Sequence, residues 1–121
     1  MIQTKNYPKA HNKLKVYGND LLNIWMREAT GQNPEEIKDE EVEGVLEALL
    51  QSNTRLLYDF LDINHVYLQP ILLEQLNPEN GWGFEISHPG GNEDENAKYD
   101  TRKDAELAGF IKSFKILEEL L

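Results

Sequence analysis

Three histidines and a dense set of carboxylates are the residues of this chain that could do chemistry. His11, His65 and His88 are isolated in sequence, and no HExxH or His-x-His spacing joins any of them. The alternation of residues 82–88 places His88 on the apolar face of a predicted strand, with Glu85 near by on the other side. Paired across a hairpin, His65 and His88 with Glu85 would make a metal-dependent hydrolase. Three satisfied or solvated histidines account for the pattern as well. The glutamates at 35, 36, 40, 41, 43 and 47 could also resemble a ligand set. They lack a histidine at a helical offset to complete one, so they read as a solvated helix face. Ser52, Ser87 and Ser113 stand in no nucleophile-elbow context.

The stretch HPGGNEDEN, residues 88–96, invites a phosphate-cradle reading because consecutive glycines let backbone N–H groups converge on an anion. A P-loop needs a lysine and an immediate helix, whereas here Glu93, Asp94 and Glu95 follow and would repel phosphate. The oxygen spacing also fails the EF-hand pattern. The expectation is a solvated connector. No catalytic, cofactor-binding or metal-binding residue is assigned, no cofactor is expected, and the chain does not read as an enzyme.

The charge distribution says more. Twelve basic residues face 22 acidic ones, for a net charge of −10, and no Lys or Arg occurs between Arg55 and Lys98. Nucleic-acid binding requires cations that displace phosphate counterions, and this chain has few to offer. The same field disfavours anionic membranes and favours basic partners. The absence of cysteine removes disulfides, thiolate metal sites and a cysteine nucleophile, and suits a reducing compartment. Residues 1–13 lack the apolar run of a secretory signal, and no stretch approaches the roughly 18 apolar residues of a membrane span. The expectation is therefore one soluble, cytoplasmic domain of 121 residues.

These groups must be positioned by a small set of elements. Leu14, Tyr17, Leu21, Ile24 and Trp25 recur at helical spacing and predict one helix ending at Gly31, a residue suited to a left-handed C-cap. Asn33-Pro34-Glu35-Glu36 reads as a helix opening, followed by Val42, Val45, Leu46, Leu49 and Leu50. The stripe resumes at Leu56, Leu57, Phe60 and Leu61 after Ser52-Asn53-Thr54, which either lie on a solvated face or divide the segment. Residues 66–76 are β-branched, aromatic and leucine-rich, and Pro70 marks an edge strand or bulge. Asn77–Gly81 suits a turn, and Trp82, Phe84 and Ile86 alternate with polar or small residues to complete a β-hairpin. Thr101 opens a capping box, and Leu107, Phe110, Ile111, Phe114, Leu117 and Leu121 line a helix face over the hairpin. Trp25 and Trp82 are expected in the core. The fold class is α+β: two or three N-terminal helices, a β-hairpin and a long C-terminal amphipathic helix packed on it.

The second half, residues 56–121, resembles the ending of small proteins of phages, prophages and mobile elements. Trp82, Phe84, Ile86, Tyr99, Asp100, Ala105, Glu106, Gly109 and Leu117 carry the likeness. The resemblance implies an α+β fold and a mobile-element origin, and transfers no catalytic residue. Together these readings lead to a small acidic protein-binding module, of inhibitor or immunity type, for a basic protein. Glu35, Glu36, Glu40, Glu43, Glu47, Glu93, Asp94 and Glu95 are its candidate contacts. The alternative is a structural or assembly protein that forms a homo-oligomer through exposed apolar helix surface.

Overall fold

A computed structural model describes residues 3–31, 39–52, 54–72 and 81–121. A 3-10 turn, Thr4–Asn6, leads into helix α1, Pro8–Thr30. Then come helices α2, Asp39–Ser52, and α3, Thr54–Ile63, strands β1, Tyr67–Leu72, β2, Trp82–His88, and β3, Gly91–Tyr99, and helix α4, Arg102–Leu120. Among the described residues the architecture is α+β, four α-helices with an antiparallel sheet in the order β1-β2-β3. The Asn33–Glu36 helix opening and the turn before Gly81 lie outside the described residues. α2 and α3 flank Asn53, and whether Ser52-Asn53-Thr54 divide the segment lies outside the described residues.

α1 is one helix across Gly18, and Gly31 closes it in the left-handed region at φ 71° with its N–H on the Arg27 carbonyl. Gly18 is where α2 comes close, since a Cβ there would lie 2.9 Å from Leu46 Cδ2. Tyr7 offers α1 no side-chain cap. Glu118 of α4 supplies the acceptor instead, taking the Ala10 N–H at 2.8 Å and placing a carboxylate at the positive end of the helix dipole. The stripe on α1 is buried at Leu14, half-buried at Tyr17 and Leu21, and loses its cover toward the C-terminal end of the helix. Ile24 and Trp25 are therefore exposed, at 48% and 41%, contrary to the expected core role of Trp25.

The hairpin is a three-stranded sheet, and the expected connector HPGGNEDEN is a correction. His88 pairs with Gly91 and leaves Pro89 and Gly90 as a two-residue turn. Gly91 takes φ 134°, which a side chain would strain. Beyond it Glu93, Asp94 and Glu95 pair with Ile86, Glu85 and Phe84. Their weak β-propensity is overridden because β2 offers a ready ladder. The register shifts between Trp82 and Phe84, and Tyr99 lies opposite Trp82. Pro70 sits in an edge strand, as its missing N–H demands.

α4 covers one face of this sheet. Thr101 caps it, its Oγ1 accepting the Asp104 N–H at 3.1 Å. Thr101→Ala is expected to cost about 1 kcal/mol in urea denaturation, and an unchanged midpoint would show the cap to be idle. The buried face also needs correcting. Phe110, Phe114 and Leu117 are buried as expected, but Leu107, Ile111 and Leu121 are exposed, and Ala105, Gly109, Ser113 and Ile116 are buried with the core face, Gly109 being where Leu68 of β1 comes close. The Ser113 hydroxyl donates to the Gly109 carbonyl at 2.7 Å, so a polar group is buried there without loss. Phe60, Leu57 and Leu61 of α3, Leu14 of α1, Leu46 of α2, Val66 of the α3–β1 connection, and Phe84 and Ile86 of β2 complete the core.

Candidate functional site

The carboxylates divide according to what the fold does with them. Glu35 and Glu36 lie outside the described residues. On α2, Glu40 and Glu47 are exposed, whereas Glu43 turns toward α1 and is half-buried. Glu43 Oε1 sits 3.1 Å from His11 Nε2 and 3.6 Å from Lys15 Nζ. The other ring nitrogen, His11 Nδ1, is 2.8 Å from the Thr4 hydroxyl. The hydrogen bond from His11 is the largest influence holding the Glu43 carboxyl below its ordinary range, and the charges of His11, Lys15 and Lys5 add to it. Hydroxyl, imidazole and carboxylate in series are the parts of an activated nucleophile. Here the hydroxyl is sealed away, Thr4 being 3% exposed, so the series joins elements rather than meeting a substrate. His11 is isolated in sequence because its carboxylate partner is 32 residues away.

Strand alternation splits the acidic run 93–95. Glu93 and Glu95 point toward the α4 side. Glu93 meets His88 Nε2 and Lys112 Nζ, each at 3.4 Å. Glu95 accepts the Tyr99 hydroxyl, and the Tyr99 ring stacks on Phe84 with centroids 6.2 Å apart. Burial first, then the hydrogen bond to Glu95, pushes the Tyr99 phenol up to about 12. Glu93 thus joins β3 to β2 and α4, while Glu95 bonds within β3 to the Tyr99 ring that stacks on Phe84.

Asp94 faces the other way. With Tyr67, Gln69, Glu85, Ser87 and Asn92 it forms the sheet face opposite α4, and all six are exposed. The register sets Gln69, Glu85 and Asp94 in one cross-strand row and Tyr67, Ser87 and Asn92 in the next. Glu85 and Asp94 are directly opposite, an arrangement of like charges that costs the sheet stability. A shallow depression of about 200 Å³ runs between Glu85, Ser87, Asn92 and Asp94. Glu85, missing from the acidic cluster when sequence is read linearly, becomes its neighbour only through strand pairing.

The same alternation separates Glu85 from His88, which lies on the α4 side with its Nδ1 accepting the Gly90 N–H at 3.1 Å. His65 occupies the α3–β1 turn at φ 62°, its Nδ1 3.3 Å from the Tyr67 hydroxyl. Among the described residues no group of three His, Asp or Glu side chains is arranged to hold a metal ion. Nor is any helix among them long and apolar enough to cross a membrane. Comparison with protein-family models, with curated proteins and with solved structures finds no match.

Proposed function

We propose that the protein is a small acidic protein-binding module whose open sheet face receives a basic protein, as an inhibitor or immunity-type protein would. The observation that carries this reading is the exposed Glu85–Asp94 pair on a sheet face that no helix covers among the described residues. A lysine or arginine placed between two opposed carboxylates relieves their repulsion and gains from both, so the face favours a cationic ligand over a neutral one. Glu40 and Glu47 on α2 extend the negative field that steers such a partner inward. A nuclease or other nucleic-acid-binding protein has the required surface, because it is built to meet phosphate.

The test is affinity capture from host lysate at low and high salt, repeated with Glu85→Gln/Asp94→Asn. A stoichiometric basic protein should be retained at low salt and lost at high salt. The variant should associate with it about tenfold more slowly. Retention that ignores both salt and the substitutions would end the proposal.

A second reading, self-association in a structural or assembly role for a mobile element, draws on the exposed Ile24, Trp25 and Met26 at the end of α1. Sedimentation separates the two readings: a mass that rises with concentration and falls in Trp25→Ser supports this one.

A further inference from the structure

We propose that the outer edge of β3, with the groove between β3 and α4, accepts an extended basic segment of a partner protein as a fourth strand. The sheet ends in two edges of unlike chemistry. β1 carries Pro70, which has no N–H to give a further strand. β3 has no proline from Gly91 to Tyr99, and among the described residues no strand pairs on its outer side. An edge strand turns a row of N–H and C=O groups outward, and main-chain pairing with such a row supplies affinity for an extended peptide. Regular register over residues 91–95, before the shift between Trp82 and Phe84, sets the length of this edge.

The groove follows from where α4 lies. The helix packs on β1 and β2 far more than on β3, and the Lys112–Glu93 ion pair spans the gap. A depression of about 360 Å³ remains there, lined by Phe84, Asn92, Glu93, Asp94, Glu95 and Lys112. Its charge selects the occupant. Glu93 and Glu95 share the α4 side while Asp94 stands on the opposite face, so an added strand meets carboxylates whichever way its side chains alternate. Glu93 and Glu95 hold neighbours of their own. A carboxylate has lone pairs for several donors, so an incoming lysine or arginine adds to those bonds without displacing them. A second copy of the chain is the wrong occupant. β3 against β3 would set the run Glu93-Asp94-Glu95 against itself, and like charges across a ladder cost stability. β3 against the other copy's β1 would meet the proline.

This inference rests on the basic-partner reading, but places the contact at a strand edge rather than on the Glu85–Asp94 face. The probe is a capped peptide of alternating lysine and valine, about six residues long, added to the full chain at low salt and followed by amide NMR and hydrogen exchange. Outward amides between residues 92 and 95 should gain about tenfold protection, with those of β1 unchanged. The same peptide with every backbone nitrogen methylated should bind at least about tenfold more weakly, and a glutamate–valine peptide should not bind. Equal binding of the methylated peptide, or shifts confined to Gln69, Glu85 and Ser87, would overturn the fourth strand while leaving the basic-partner reading in place. A lysine–valine peptide that binds nowhere also overturns it, and salt-sensitive capture of a basic protein then shows whether that wider reading survives alone.

Discussion

Phe60→Ala should lower the unfolding free energy by about 3–5 kcal/mol, read as a shift of the urea midpoint at constant slope. Phe60 is 1% exposed, and its ring meets Tyr17 of α1 at 5.5 Å and Phe114 of α4 at 6.0 Å between centroids. It thus joins three helices that come from distant parts of the chain. Truncation removes both ring contacts and leaves a cavity that three anchored elements cannot collapse to fill. Domains of this size are held by about 5–15 kcal/mol in total, so the variant should be partly unfolded at 37 °C. A loss under about 1.5 kcal/mol would mean that the helices are not locked together through this ring.

The second large effect is a coupling between Gly109 and Leu68. A Cβ on Gly109 would stand 2.5 Å from Leu68 Cδ1, 3.2 Å from Cδ2 and 3.4 Å from Cγ. Leu68 is 8% exposed and cannot swing clear as a unit. Gly109→Ala gains about 1 kcal/mol of helix propensity, but overpacking of about 1–3 kcal/mol outweighs it. Leu68→Ala alone should cost about 2–5 kcal/mol. In the double variant the new methyl enters the vacated space and the propensity gain remains. Its loss should therefore be smaller than the sum of the singles by at least about 1 kcal/mol. Additivity within about 0.5 kcal/mol would place the two residues out of contact.

Much of the helical layout was legible because it depends on neighbours in sequence. The left-handed Gly31, the Thr101 cap and the stripe Leu14–Tyr17–Leu21 are local in this sense. The face of α4 was half legible: Phe110, Phe114 and Leu117 are buried as their spacing predicts, whereas its small members were missed for a physical reason. Hydrophobic periodicity weights large residues, while a strand lying close to a helix selects a small one such as Gly109, which faces Leu68 of β1. Leu107 and Ile111 have the right spacing but stand at the flank of that contact, exposed.

The candidate site was less legible. Residues 92–96 carry no apolar alternation, and a polar strand without a visible apolar face resembles a loop until its partner is known. The sequence by itself determined the acidic balance, the α+β class, the helix ends at Gly31 and Thr101 and the apolar strand β2. Tertiary structure decided which carboxylates are committed inward at Glu43, Glu93 and Glu95, and which stand together outward at Glu85 and Asp94. It also brought His11 between Thr4 and Glu43. Charge and capping act over a few residues of chain. Strand register and helix packing act between residues tens of positions apart, and no local pattern encodes which of them will meet.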